Sequence, residues 1–456
     1  MPLGSALHQK TGKPERAERG PGEALPGSGR DEARPARQEP EGLGRGSLLT
    51  QALARANMAL AWKHVKSNRG SAGVDGLSIG ETEEYLKTAW PRIRDELQSG
   101  KYRPQPVRRV QIQKPGGGER ELGIPTVTDR LIQQALLQVL QPLIDPTFSE
   151  YSYGFRPGRR AHDAVLQAQC YVQEGFRKVV DVDLEKFFDR VNHDILMDRL
   201  SKRIADKAVL RLIRRYLAAG ILNQGVALER TEGTPQGGPL SPLLANVLLD
   251  EVDRTLERRG LRFVRYADDC NVYVRSIKAG ERVLNGLRKL YDRLCLKVNE
   301  AKTAVASAFG RQFLGYSFWV ALNGAVKRAV ASKAKDTFKA RIRQITCRSG
   351  GRSLGQVVDS LRQYMPGWKA YFQLAQTPRV FRALDEWLRH RLRALQLKHW
   401  RRGTTIYREL RALGASPVHA AQAAGSSRRW WHNSKMAVHH AMPIAYFDRL
   451  GVPRLS

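Results

Sequence analysis

Cysteine is scarce. The four in 456 residues, Cys170, Cys270, Cys295 and Cys347, stand far apart and form no C-x-x-C pair, which argues against both a disulfide framework and a zinc site. Long apolar runs are missing too: nothing approaches the ~20 residues that cross a bilayer, and mean hydropathy is -0.45. The N-terminus lacks the apolar core of a secretory signal, so the expected compartment is the reducing cytoplasm. Acidic residues are the third deficit. Against 77 Lys+Arg there are 44 Asp+Glu, leaving a formal charge of +33. That excess repels itself unless a polyanion is bound, which makes nucleic acid the expected partner and a membrane an unexpected one. The ten histidines, His432, His439 and His440 among them, have no acids or cysteines at metal-ligand spacing and read as solvated or core.

What is present supports a folded chain. Hydrophobic residues make up 42%, enough for two or three domains with cores at this length. Residues 1–47 are the exception: rich in Gly, Pro, Arg and Glu and poor in aliphatics, they predict a disordered basic tail. From Leu48 the pattern turns helical and leads into the glycine-rich stretch Asn68–Gly76, which suits either a phosphate-covering loop or a plain connector. Residues 101–130 alternate like strands around Lys114-Pro115-Gly116, with Lys114 and Arg120 as hairpin charges. Asp129–Leu143 repeats with the period of a buried helix. Tyr151–Arg160 mixes aromatics with Arg156 and Arg159, a combination that stacks on bases and grips phosphates.

Two acidic stretches stand apart. In Val179–Asp189, a strand would place Val180, Val182 and Leu184 on one face and Asp181, Asp183 and Glu185 on the other. In Arg265-Tyr266-Ala267-Asp268-Asp269-Cys270, two β-prone runs flank an Asp-Asp pair, predicting a hairpin with acid at its tip. Like charges ~4 Å apart repel by roughly 4 kcal/mol at an effective dielectric of about 20. A divalent cation removes that repulsion, and an oxygen-only set is what Mg²⁺ prefers. Solvated turn chemistry is the plain alternative for the Asp-Asp pair alone. Between the two stretches, Gly233–Pro242 supplies glycines for close backbone approach, with Ser241 and Pro242 suited to begin a helix. From about Ser332 the chain reads as helical and very basic, with apolar residues such as Leu384, Leu388 and Leu392 recurring at helical spacing.

Taken in order, these segments resemble the group II intron-encoded reverse transcriptase/maturase family over roughly residues 48–456. The resemblance implies an α+β right-hand polymerase fold, with fingers and an antiparallel palm sheet over 48–325. An α-helical thumb/maturase domain over 326–412 and a basic nucleic-acid-binding segment over 413–456 would follow. It implies RNA-directed DNA synthesis from dNTP substrates, with two Mg²⁺ ions held by Asp183, Asp268 and Asp269 and the main chain at Leu184. Lys114, Arg120, Phe188, Gln236 and Lys302 would bind the nucleotide, although Glu300-Ala301-Lys302 departs mildly from the family's usual acid before that lysine, and an ordinary core phenylalanine is the lesser, rival reading of Phe188. Leu314, Gly315 and Tyr316 would grip the primer. Arg156, Arg159, Arg389, Arg393, Lys398 and Arg401 would bind RNA. Implied partners are intron RNA, whose splicing the protein would assist, an RNA template and a DNA primer or target; a homodimer is left open. The expected chain lacks the endonuclease module that some relatives append. A reverse transcriptase of phage defence or diversity generation, and a non-enzymatic RNA-binding splicing factor, are the alternatives.

Overall fold

The computed structural model describes residues 47–113, 119–223, 226–228, 232–234, 237–435 and 437–456. The expected tail, Lys114 and Gln236 lie outside the described residues, and so does the Arg120 side chain. Helices α1 (Leu48–Ala52), α2 (Arg55–Ser67) and α3 (Ile79–Gln98) come first. Ser78 and Glu81 close a reciprocal capping box at the start of α3, satisfying backbone donors that the first turn leaves open. Strands β1 (Val107–Gln113) and β2 (Glu119–Ile124) form the expected antiparallel hairpin, with Arg120 opposite Ile112. Helix α4 (Val127–Ile144) packs on α2 through Ala61, Leu131 and Ala135, the two alanines allowing close approach. The buried Asp129 caps this corner, accepting from Tyr102 Oη at 2.8 Å and Thr126 Oγ1 at 2.8 Å.

The central sheet is built from β3 (Lys178–Val182), which follows α5 (Ala161–Gln173). Helices α6 (His193–Ser201), capped by Asn192 as its sequence suggests, and α7 (Lys207–Ala218) come next. Strand β4 (Ile221–Asn223) then joins β1, in parallel, to β5 (Val226–Leu228). Helix α8 (Ser241–Arg258) starts one residue earlier than the sequence implied, with Leu240 at the cap. Strands β6 (Arg262–Tyr266) and β7 (Asp269–Val274), helix α9 (Ile277–Arg293) and strand β8 (Ala304–Ser307) complete an antiparallel sheet of order β6-β7-β3-β8. Val180, Val182 and Leu184 enter one core with α8 and α9, while Val179, Val264 and Tyr273 enter another on the opposite face. The second core takes in β9 (Gln312–Phe313), β10 (Tyr316–Val320) and β11 (Val326–Val330). Residues on both sides of position 326 therefore share it.

The C-terminal part is helical: α10 (Ser332–Ile345), α11 (Leu354–Tyr371), α12 (Pro378–Trp400), α13 (Gly403–Ala412), α14 (Pro417–Gly425), α15 (Trp430–Asn433), α16 (Ala437–Ala441) and α17 (Ile444–Arg449). One core runs from Phe338 through Leu388 and Leu392 to Ala420, Phe447 and Leu455. The last forty residues are thus built into the same helical body. Among the described residues no helix is long and apolar enough to cross a membrane.

Candidate active site

The site begins at a two-residue turn. Tyr266 and Asp269 pair at the head of β6 and β7, leaving Ala267 and Asp268 to make the reversal. Ala267 sits at φ 59°, a left-handed conformation that an L-residue adopts at a cost of roughly 1–2 kcal/mol, so something must hold it. The holder is Arg265, fully buried and paired with the equally buried Asp253 at 2.6 Å. Arg265 Nη1 donates to Ala267 O at 2.8 Å and to Asn246 Oδ1 at 2.9 Å, and Nη2 donates to Ser152 Oγ at 2.7 Å. Asn246 Nδ2 in turn donates to Gly154 O at 2.9 Å. Gly154 packs so tightly on the turn that a Cβ there would run into Ala267 N. The Tyr151–Gly154 segment lies along β6, with Tyr153 N donating to Arg265 O at 2.9 Å and Arg265 N to Tyr151 O at 2.9 Å. An unpaired buried guanidinium would be costly; here every nitrogen has a partner, and the outcome is a fixed turn.

The register of β3 brings the second acidic stretch to that turn. Asp181 pairs with Asn271 and Val182 with Cys270; one step further along the same register sets Asp183 opposite Asp269. On its other side Asp181 pairs with Ala304, and beyond it the register shifts, so that Asn299 comes to lie across from Asp183. Lys302 Nζ lies 3.1 Å from Asp183 Oδ2, and Arg311 Nη2 lies 2.9 Å from Asp181 Oδ2. The Asp183 backbone is tied down by Thr303 Oγ1, 3.2 Å from its N–H, and by Asn299 N, which donates to its carbonyl at 2.8 Å. Leu184 bridges Val298. Glu185 leaves this face, its carboxylate 3.4 Å from Arg190 and 3.5 Å from Lys297. Asp181, Asp183, Asp269, Lys302, Arg311 and Lys333 line one cleft of about 770 Å³.

Electrostatics in the cleft favour a cation. Desolvation, then repulsion by Asp268, Asp183 and Asp181, pushes the Asp269 carboxyl up to about 7. Its surface stays open to solvent, so the repulsion is the part that an added positive charge would relieve. Asp181 is also raised, by desolvation that Arg311 only partly offsets. Among the described residues, no three His, Cys, Asp or Glu side chains already form a closed cage. The donors are nonetheless all hard oxygens, and the Lys302 ammonium against Asp183 shows that a cation is accommodated there.

A second pocket, about 400 Å³, adjoins the sheet and is lined by Phe188, Phe155, Leu122, Arg130, Gly237 and Pro239 among others. Phe188 stands edge-on to the buried Phe187, ring centroids 5.1 Å apart, and is itself only half-buried. The loop ahead of Pro235 is stitched to it: Thr234 N donates to Phe188 O at 2.7 Å and Gly233 N to Val191 O at 2.8 Å. Gly237, at φ 139°, passes so close to β2 that a Cβ would lie 2.7 Å from Gly123 O. The glycines expected for close approach are therefore spent on backbone-to-backbone packing at these two positions.

Comparison with known proteins decides the lineage. Residues 112–318 match the model described as reverse transcriptase (RNA-dependent DNA polymerase), and residues 335–414 match the group II intron, maturase-specific domain. The chain joins a reverse transcriptase domain to a group II intron maturase-specific domain. It is 39% identical over 210 residues to protein YkfC of Escherichia coli, covering 45% of this chain and 55% of that protein. It is 30% identical over 340 residues to the group II intron-encoded protein LtrA of Lactococcus lactis, covering 59% and 56%. The chain thus spans little more than half the length of these two relatives. Among solved structures, a partial Cas6-RT-Cas1–Cas2 complex aligns at 26% identity over 54% of this chain and 43% of that one, with a TM-score of 0.37.

Within this reverse transcriptase and maturase framework the expected primer-grip residues form a tight hairpin. Leu314 (φ 49°) and Gly315 (φ 78°) make its turn, as a two-residue hairpin of right-handed twist requires. Tyr371 Oη donates to Leu314 O at 3.0 Å, the buried Tyr316 donates to Tyr371 O, and Leu314 and Gly315 line the carboxylate cleft. Three of the expected RNA-binding arginines are placed differently. Arg156 is 8% exposed, held 2.9 Å from Asp145 and donating to Ser152 O at 3.0 Å; it anchors its own loop. Arg389 and Arg393 are each 4% exposed, the first between Asp385 and Asp448 at 3.9 Å, the second donating to Met442 O at 2.9 Å. Buried among their own partners, these three cannot meet RNA. Arg159 is half-buried over the Tyr153 ring, Lys398 donates to Arg348 O at 2.6 Å, and Arg401 is exposed. Sequence reasoning missed Arg265, Asp253, Asn246 and Arg311. The one available signal was that Arg265 shares a strand face with the buried Phe263.

Proposed function

We propose that the chain is an RNA-directed DNA polymerase that also binds its intron RNA and assists its splicing. The observation that carries this reading is the register that sets Asp183 opposite Asp269, beside the Asp268 turn and within reach of Lys302. The family works with divalent metal ions; Mg²⁺, as two ions, suits the oxygen-only set of Asp183, Asp268, Asp269 and the Leu184 main chain. When bound, the ions would supply charge neutralisation and acidify the primer hydroxyl. The reaction joins that 3′-hydroxyl oxygen to the α-phosphorus of a dNTP and breaks its bond to pyrophosphate. Lys302, freed from Asp183, is positioned to meet triphosphate charge. Phe188 presents a ring edge where a ribose 2′-hydroxyl would collide, and the Leu314–Gly315 turn holds the primer end at the cleft.

A purely RNA-binding protein has no use for a carboxyl driven up to about 7 by burial and then by three neighbouring carboxylates, which favours catalysis over the splicing-factor alternative. An RNA template, a DNA primer and the intron are the expected nucleic-acid partners, and the cytoplasm is the expected compartment. The test is extension of a DNA primer on an RNA template with dNTPs and Mg²⁺. Synthesis by the parent that disappears in Asp268→Ala supports the reading; no synthesis by the parent, or undiminished synthesis by the variant, overturns it.

A further inference from the structure

Helix α11 ends on the hairpin turn that lines the carboxylate cleft. A helix leaves its last carbonyls without partners of its own, and Tyr371, the last residue of α11, shows where one of them goes. Its carbonyl accepts from Tyr316 Oη on β10 and lies 2.6 Å from His162 Nε2 on α5. Because a carbonyl only accepts, His162 carries its proton on Nε2. Side chains from a strand and from a second helix thus fix the end of α11.

From that fixed end the Tyr371 side chain reaches the turn. Its Oη donates to Leu314 O at 3.0 Å, and Ala331 N donates to Gly315 O at 2.9 Å. Both carbonyls of the turn are therefore taken. Among the described residues neither Leu314 N nor Gly315 N has an acceptor. Consecutive free N–H groups at positive φ, here 49° and 78°, make a concavity suited to an anion. Lys333 and Arg311 line the same cleft as this turn, adding charge of the matching sign. The turn does not hold itself: Leu314 is a left-handed L-residue, a conformation that persists only where its surroundings impose it. The space beside it is filled as well, since a Cβ at Gly315 would lie 3.1 Å from Cζ of Phe372, the residue after Tyr371. Burial, then the nearby Tyr266, holds the Tyr371 phenol above its ordinary range, so it stays protonated and donating through neutral pH.

We propose that Tyr371 is a positioning residue of the polymerase reaction: through Leu314 O it sets the turn whose amides receive the last internucleotide phosphate of the primer. It acts through Leu314 and need not touch either substrate. Docking of α11 and alignment of the primer 3′-hydroxyl are then coupled by one hydrogen bond. The inference rests on the polymerase reading above. Its rival is plain packing, because the Tyr371 ring also lies 6.1 Å from Tyr316, 5.7 Å from His162 and 4.9 Å from Phe372, centroid to centroid.

Tyr371→Phe separates the two, since it keeps the ring and the main-chain carbonyl and removes only the Oη. Its control is Tyr364→Phe, which removes a phenol about two turns earlier on α11, stacked on Phe338. Single-nucleotide addition by the full-length proteins is followed on an RNA template with two DNA primers. One is ordinary; in the other the last internucleotide phosphate is an uncharged methylphosphonate. On the ordinary primer Tyr371→Phe should add at least fivefold more slowly than the parent at saturating dNTP. Its KM for dNTP and its dissociation constant for primer–template should stay within twofold, and Tyr364→Phe should match the parent within twofold throughout. The methylphosphonate should slow the parent at least tenfold but Tyr371→Phe less than threefold, the non-additivity expected of groups acting on one contact. Addition by Tyr371→Phe at the parent rate, an equal loss in Tyr364→Phe, or equal slowing of parent and Tyr371→Phe by the methylphosphonate would overturn the proposal. A parent that extends neither primer would overturn the polymerase reading itself, and this inference with it.

Discussion

At Asp269 two requirements conflict. The carboxyl must be ionised to hold a cation, yet its surroundings push its pKa up to about 7 from an ordinary 3.8. For an acid raised in the folded state, stability is largest while the group is protonated in both states. It then falls as pH climbs from the unfolded pKa to the folded one. Metal-free protein should therefore lose stability between about pH 4 and pH 7, and Asp269→Asn should remove that loss. We expect the variant to melt on the order of 1–3 °C above the parent at pH 8 without divalent cations, and to converge with it at pH 4. Identical melting curves at pH 8 would contradict the electrostatic account. Phe188 poses a different question, since its ring is half core and half pocket wall. Phe188→Ala should incorporate ribonucleotides at least tenfold more readily relative to deoxyribonucleotides; unchanged sugar discrimination with DNA synthesis intact would make it a packing residue alone.

The elements explain which parts of the site could be read from the chain. The Asp-Asp hairpin and the acidic strand were legible because each depends on short-range patterns, two-residue alternation and a turn. The register of β3 against β7 then follows from burying Val180 and Val182, since a slip of one residue would bury the carboxylates instead. The arginines were not legible in the same way. Arg156, Arg389 and Arg393 sit in sequence like surface charges, but Arg156 is taken up by the nearby Asp145, and distant residues bring Asp448 to Arg389 and the Met442 carbonyl to Arg393. The turn's support was equally hidden, because Arg265, Asp253, Asn246 and Ser152 come together only after α8 packs on β6. That support can be tested through Gly154. A methyl group there collides with the backbone of Ala267, so Gly154→Ala should displace Asp268 and cut extension at least tenfold. The expected stability cost is about 1–3 kcal/mol, typical of overpacking. Full activity in a folded Gly154→Ala protein would show that the turn does not depend on this contact.

On the scale of the whole molecule, the proposed function divides chemistry from RNA binding. The carboxylates lie on the antiparallel sheet, whereas the maturase-specific segment, residues 335–414, is built of helices that share a separate core running to Leu455. Removing one acid should leave the second function standing: Asp268→Ala is expected to bind intron RNA within twofold of the parent and to support splicing of the cognate intron at low Mg²⁺. Splicing lost with that variant would contradict the division of labour. The most direct measurement takes Asp183→Asn, a substitution of nearly equal shape, and follows single-nucleotide addition to a DNA primer on an RNA template together with template binding. The account predicts a rate at least a thousandfold below the parent with the dissociation constant for the primer–template within about twofold. Addition within tenfold of the parent rate would contradict it, because the acid opposite Asp269 would then not belong to the chemistry.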